Sequence, residues 1–225
     1  MSSTPYVLVP TLPEDADVTA PVTEDSSTAW AAGTYAIGDI RHRASTHRKY
    51  RRLTAGTDGA SDYPEDNPTA WQDYAPTDRW APFDYYVSTA NEQTSDITYI
   101  IAVGFINAVA LYGLQGTSCT VTYKDAPGGT VLHTETFAID DRPVGWYEWF
   151  FGAWTSTTKR VITDLPISPT GELTVTVTAG GSDTRAIGVI AYGDLTPLVT
   201  TEGTGTIAGA RAKLVDYSYI NRNDD

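Results

Sequence analysis

Aromatic side chains are concentrated between residues 30 and 84, where they stand among polar and charged residues. Sugar rings present apolar C–H faces that stack on the plane of a Tyr or Trp ring, while neighbouring Asp, Asn or Arg side chains bond the hydroxyl groups. Two interpretations stay open: these aromatic residues form a protein core or an interface, or they form a carbohydrate-binding surface, which is the functional hypothesis they best support. The candidate residues for sugar binding are Tyr50, Tyr63, Tyr74 and Trp80.

A basic run, residues 41–52, lies within the same region. Clustered Arg and Lys can bind nucleic acid, but the formal net charge of −13 opposes this, and we expect no nucleic-acid partner. Two other roles stay open. Either the run pairs with acidic segments such as residues 1–29 and 62–66, in the same or a neighbouring subunit, or it binds anionic polysaccharide.

The sequence offers few groups for catalysis or metal binding. His42, His47 and His133 show no spacing with Cys, Asp or Glu that would build a zinc site of three or four ligands. The single cysteine, Cys119, is typical of a small buried strand residue. Neither a Gly-x-Ser-x-Gly motif nor a glycine-rich phosphate loop occurs. We therefore expect no enzyme, metal or cofactor, although the two carboxylates of a glycosidase need not be close in sequence.

The sequence also predicts no membrane insertion. No apolar run approaches the ~18 residues that span a bilayer. The first ten residues lack the basic start and the long apolar core of a signal peptide.

The N-terminal segment, residues 1–29, is rich in Pro, Thr, Ser and acidic residues. Prolines remove backbone donors and hold a chain extended, while like charges discourage collapse. We expect an extended arm that is either flexible in isolation or laid on a neighbouring subunit. In the second case the apolar residues 6–9 would be its anchor.

Three further segments follow the arm. Residues 30–84 carry short strand signals separated by glycine turns, without helical periodicity. Residues 85–198 alternate between apolar and polar side chains, with regularly spaced turns that are typical of a β-sandwich or jelly roll. Residues 199–225 form a C-terminal extension with a strand-like stretch at 212–220.

The segment 30–84 is too short to bury much apolar surface, so its tryptophans must supply much of its core. Several of its residues occur in the order found in the short chitin- and cellulose-binding carbohydrate modules, which this segment resembles. They are Trp30, Tyr35, Gly38, Asp39, Ile40, Tyr50, Arg51, Pro64 and Trp71. The fold class we predict is therefore all-β: an extended arm, a small three-stranded carbohydrate-module-like domain and a jelly-roll-like β-sandwich.

A second resemblance spans roughly residues 28–220 and is most specific in Pro76-Thr77-Asp78-Arg79-Trp80-Ala81-Pro82-Phe83-Asp84. With Gly38-Asp39-Ile40, the Ser45–Tyr50 segment and Trp71, this stretch resembles tail-associated virion proteins of tailed bacteriophages. The resemblance implies a structural component of the tail tip, baseplate or fibre, assembled into the virion in the host cytoplasm. It also implies contacts with other tail proteins and with copies of itself, and attachment to host-surface polysaccharide.

The alternatives to a structural tail protein are a dedicated glycan-binding adhesin and, less favoured, a polysaccharide depolymerase. In each case we expect residues 76–84 to join the small domain to the sandwich. Arg79 would stack between aromatic rings or pair with Asp84, and Phe83 would plug the edge of the sandwich.

Overall fold

A computed structural model describes residues 6–19, 23–139, 146–151 and 157–197 of the chain. Within these residues there are sixteen β-strands, one α-helix and two short 3-10 helices, which confirms the predicted all-β fold. The strands are β1 (Tyr6–Pro10), β2 (Val18–Thr19), β3 (Gly33–Tyr35), β4 (Ile40–Arg43), β5 (Arg48–Arg52), β6 (Gly56–Asp58), β7 (Trp71–Pro76), β8 (Asn91–Gln93), β9 (Ile97–Ala102), β10 (Ala108–Tyr112), β11 (Ser118–Lys124), β12 (Val131–Ala138), β13 (Lys159–Ile162), β14 (Glu172–Thr178), β15 (Arg185–Ile187) and β16 (Val189–Pro197). The helix α1 spans Trp146–Phe151, and the 3-10 helices span Pro64–Asp66 and Ala81–Phe83.

Residues 8–195 form one compact unit. The second unit combines residues 1–7 with residues 196–225, of which only the first residues of β1 and the last residues of β16 are described. The predicted C-terminal extension, with its strand at 212–220, lies outside the described residues.

Two sheets form the predicted jelly-roll-like sandwich. One sheet has the strand order β12-β11-β14-β9-β2, and the other has the order β1-β16-β10-β13. Because successive side chains of a strand point to opposite faces, β11 buries Val121 while Thr120 lies on the outer face, and β14 buries Val175 in the same way. These buried residues share one hydrophobic core with Leu111 and Ile190 of the second sheet.

Within the N-terminal arm, residues 8–19 lie along the sandwich of the same chain. Leu8 packs against Ala110 and Ala191 of the four-stranded sheet. Further along, β2 joins the edge of the five-stranded sheet, where Val18 pairs with Ile101 and is only 1% exposed. The arm thus completes the hydrophobic core of its own subunit.

The small domain contains the predicted three-stranded sheet, in the order β4-β5-β7, together with a two-stranded sheet of β3 and β6. Tyr35, Tyr50 and Trp71 are buried in its core, and Trp30 packs against them. The turn between β3 and β4 needs glycine, because Gly38 has a φ of 89°. Asp39 closes that turn by accepting a hydrogen bond from the backbone N–H of Ala36 at 2.9 Å.

A buried ion pair stabilises this small core. Arg52 and Asp58 are each 4% exposed, and the Arg52 guanidinium donates to both carboxylate oxygens of Asp58, at 2.7 and 2.9 Å. The guanidinium also lies 5.0 Å from the ring centroid of Trp71, whose indole N–H donates to Asp58 at 2.8 Å. Each buried polar group therefore has a partner, as a buried pair requires.

Replacing Arg52 by Met would leave the Asp58 carboxylate buried without its counterion. We expect the free energy of unfolding to fall by about 3–5 kcal/mol, the usual cost of breaking a buried pair. Denaturant unfolding of the full chain measures this loss. The matched control is Arg48→Met in the same strand, because Arg48 pairs with Asp73 at the surface, where a pair contributes at most about 1 kcal/mol. Equal losses in the two variants would contradict the structural role of Arg52.

Candidate functional site

The segment Pro76–Asp84 joins the small domain to the sandwich. Its 3-10 helix, Ala81–Phe83, places Phe83 in the main hydrophobic core at 5% exposure. The Phe83 ring meets the ring of Tyr99 edge-on, with 5.8 Å between centroids. Phe83 is thus part of the hydrophobic core of the sandwich.

Asp78 is the polar centre of this junction. Its carboxylate accepts hydrogen bonds from the Lys49 ammonium at 2.7 Å and from the Ser26 backbone N–H at 2.9 Å. Its own N–H donates to the Asp25 carboxylate at 2.9 Å, and its carbonyl oxygen accepts from the Tyr99 hydroxyl at 3.0 Å. One residue, 8% exposed, therefore connects the arm, the small domain and the sandwich.

The charges at this junction stabilise one another. Burial raises the pKa of the Asp25 carboxyl, but hydrogen bonds from Ser27, the Asp78 backbone and Lys49 outweigh burial and leave this pKa below its ordinary value. Burial lowers the pKa of the Lys49 ammonium, but its hydrogen bonds to Asp78 and Asp25 reverse that shift and leave the pKa raised. Both groups are therefore charged at neutral pH.

Arg79 binds the arm and makes neither of the contacts expected from the sequence. Its guanidinium donates to the carbonyl oxygen of Val18 and lies 3.6 Å from carboxylate oxygens of both Asp15 and Glu24. The Asp84 carboxylate is instead occupied by its own loop, where it accepts from the Tyr86 N–H and the Thr89 hydroxyl. The docked arm brings two acids to Arg79, which explains the difference.

A cleft of about 420 Å³ opens beside this junction, between β7 and the loop that leads into β8. Tyr74, which is 54% exposed, forms its aromatic part. Tyr74 is directed outward by a β-bulge: Lys49 pairs with Ala75 and Tyr50 pairs with Asp73, so Tyr74 is the extra residue. The cleft is lined by Lys49, Tyr74, Pro76, Ser88, Thr89 and Glu92, among others.

The structure does not bring the four sequence candidates for sugar binding together. Tyr50 is 5% exposed and belongs to the core of the small domain, so its ring faces are closed to a ligand. Tyr63 is covered by the guanidinium of Arg43, 4.1 Å from its ring centroid. Trp80 is half-buried against His47, with 4.4 Å between ring centroids. Of the four, Tyr74 alone lines the cleft.

Several of the other residues that line the cleft were missed in the sequence. Ser88, Thr89 and Glu92 lie in an ordinary polar stretch and approach Lys49 only because residues 76–84 fold back on the sandwich. No local pattern marks them, since their proximity depends on contacts between residues about forty positions apart in the sequence.

Most cations of the basic run are paired with acids of the same chain. Arg43 pairs with Glu65 at 2.8 Å, whereas Lys49 pairs with Asp25 at 3.0 Å and with Asp78. Both acidic segments suggested by the sequence, residues 1–29 and 62–66, thus supply counterions. These contacts reduce the positive charge that a bound polyanion would meet.

Three other features bear on function. Among the residues that the structure describes, no group of three or more His, Cys, Asp or Glu side chains is placed to hold a metal ion. Burial, reinforced by the charge of Glu135, raises the pKa of the Cys119 thiol to about 12, which leaves this thiol unreactive. No helix in the described part of the chain is long and apolar enough to cross a membrane.

Comparisons with known proteins include a distant structural likeness. The chain matches no protein-family model, and no curated protein is significantly similar to it. Among solved structures, the chain is similar to the carbohydrate-binding module CBM32-1 from a family 31 glycoside hydrolase of Clostridium perfringens. The two are 13% identical, the match covers 80% of this chain and 95% of that module, and the TM-score is 0.33.

Asp25 makes the stability of the junction depend on pH. Its pKa in the folded chain lies below the ordinary value of 3.8, so its contribution is complete above that pH and is lost as the pH falls through the folded pKa. We expect Asp25→Asn to lower the free energy of unfolding by about 2 kcal/mol at neutral pH. This difference from the wild type should shrink below pH 3.8 in unfolding experiments at several pH values.

The control for this measurement is Asp73→Asn, which removes a carboxylate that is 53% exposed. Its effect should be small at every pH, because exposed pairs contribute little. A difference between Asp25→Asn and the wild type that stays constant down to pH 2 would contradict the proposed role of the Asp25 carboxylate.

Proposed function

We propose that this chain is a non-enzymatic structural protein of a bacteriophage tail, and that its cleft at Tyr74 binds glycans of the host surface. The observation that carries the binding role is the cleft itself. An exposed aromatic ring lies beside uncharged hydroxyls and a carboxylate, in a volume of about 420 Å³. This volume is within the range of about 300–1,000 Å³ typical of small-molecule sites.

The chemistry of the cleft suits a sugar. The Tyr74 ring supplies a flat apolar surface on which the C–H face of a pyranose can stack. Ser88 offers a hydroxyl group that both donates and accepts hydrogen bonds, Thr89 offers a hydroxyl oxygen that accepts because its proton is donated to Asp84, and Glu92 offers acceptor oxygens. These polar groups and the ring line the same cleft, so stacking and hydrogen bonding can act on the same ligand.

The fixed junction supports a binding role as well. Lys49 lines the cleft and is held by Asp25 and Asp78, while the loop on the other side is shaped by the Asp84 carboxylate. A site whose walls are already in position loses less conformational entropy when it binds. The small domain is therefore suited to presenting a preformed site.

The tail assignment is supported by the sequence resemblance, above all by Pro76–Asp84. The residues of this motif build the junction, with Phe83 in the sandwich core and Asp78 bonded to the arm. In this proposal other tail proteins and further copies of the chain are its partners, and it is located in the virion. Antibodies against the full chain should label the tail of the particle.

Tyr74→Ala should weaken glycan binding by about tenfold or more, equivalent to about 1.4 kcal/mol, because the variant removes the stacking surface. Binding of the full chain to a panel of polysaccharides and to host cells measures this effect. The matched control is Tyr147→Ala, which removes a tyrosine that is 64% exposed on α1 and lies outside the cleft. Circular dichroism should show that both variants are folded.

Three results would contradict the proposal. The wild-type chain could bind no glycan and no host cell, which would remove the binding role. Tyr147→Ala could weaken binding more than Tyr74→Ala, which would move the site to α1. Release of reducing ends from the bound polysaccharide would make the chain a depolymerase rather than a non-enzymatic protein.

A further inference from the structure

A second cleft shares a residue with the one at Tyr74. It has a volume of about 490 Å³ and is lined by Ser26, Asp78, Glu92, Gln93, Ser95 and Thr184, among others. Glu92 of β8 borders both clefts. The first cleft is lined by residues from Ser88 to Glu92 and the second by residues from Glu92 to Ser95, so the two clefts adjoin at Glu92.

The ion pair between Lys49 and Asp78 stands where the two clefts meet. Lys49 lines the first cleft and Asp78 lines the second, and their charged atoms are 2.7 Å apart. Asp25 also pairs with Lys49, and the backbone N–H of Ser26 donates to the Asp78 carboxylate. The contact between Lys49 and Asp78 is therefore fixed from both sides. It gives the two clefts a shared, rigid wall.

The two clefts differ in what they offer a ligand. The first contains the exposed ring of Tyr74, whereas no aromatic side chain lines the second. The second is lined mostly by hydroxyl and amide groups, such as Gln93, Ser95 and Thr184. A ligand that stacks on Tyr74 would therefore extend into a polar channel that can hydrogen-bond its further units.

The charge around both clefts is negative. The ammonium of Lys49 is balanced by two carboxylates, those of Asp25 and Asp78. Glu92 is exposed and makes no ion pair within the described residues, so it adds an uncompensated negative charge at the boundary of the clefts. A uronate, sulfate or phosphate group placed there would be repelled.

We propose that the two clefts form one continuous binding site for an uncharged or amino-sugar polysaccharide, occupied by several consecutive sugar units, and that this site discriminates against polyanionic chains. The inference rests on the proposed glycan binding at Tyr74 and specifies its ligand. Each cleft has the volume of a site for one small molecule, so a single sugar would leave the second cleft empty.

The first test compares oligomers that differ in charge and in length. The full chain is titrated calorimetrically with N-acetylglucosamine, glucosamine and galacturonate oligomers of two to six units. We expect the uncharged and cationic hexamers to bind about tenfold more tightly than their dimers, since only the hexamers reach the second cleft, and the galacturonate series to bind weakest. Glu92→Gln should weaken the binding of glucosamine oligomers and improve that of galacturonate.

The second test fills the second cleft. Thr184→Trp adds a bulky ring there without removing an ion pair, and we expect it to reduce hexamer affinity to that of the dimer while dimer affinity stays unchanged. Thr134→Trp, on the outer face of β12, is the control for added bulk. Tyr74→Ala should weaken the binding of every length.

These outcomes separate this inference from the proposed function. Tighter binding of galacturonate, equal affinity for dimers and hexamers, or an unchanged hexamer affinity in Thr184→Trp would overturn the continuous site while glycan binding at Tyr74 remained. Absence of binding by any of the three series, together with none in the polysaccharide panel, would overturn both.

Discussion

Asp78 holds together three parts of the chain that are far apart in sequence. Its buried carboxylate accepts hydrogen bonds from the arm through Ser26 and from the small domain through Lys49, while its backbone carbonyl oxygen accepts from Tyr99 in the sandwich. A buried carboxylate without such partners would be strongly destabilising. The position of β7 relative to the loop before β8, and with it the shape of the cleft, therefore depends on this contact.

The small domain is stabilised in a different way. It has no cysteine pair, because Cys119 is the single cysteine of the chain and lies in the sandwich. Its stability rests instead on aromatic rings interleaved with arginines, with Arg52 stacked on Trp71 and paired with Asp58. Because these residues are buried in the core, they cannot contact a ligand. The aromatic side chain that lines the cleft is that of Tyr74, which stands at the bulge.

The sandwich was the easier part to predict from sequence. Strict alternation in β11 and β14 reports directly on which side chains face the core, since the period of a strand is two. The candidate site was harder to predict from the sequence, for physical reasons. Tyr50 stands in a charged strand and looks exposed until Tyr35 and Trp71 close over it, and the outward position of Tyr74 depends on a bulge. The contacts that Arg79 makes depend on the path of the arm, which brings Asp15, Val18 and Glu24 to its guanidinium.

In the proposed function, the junction between the small domain and the sandwich is a preformed glycan site. The most direct measurement is a crystal structure of the full chain with a bound oligosaccharide. We expect a sugar ring stacked on Tyr74, with its hydroxyl groups bonded by Thr89 and Glu92. A sugar bound at Tyr63 or on the exposed aromatic residues of α1, with the Tyr74 cleft empty, would contradict it.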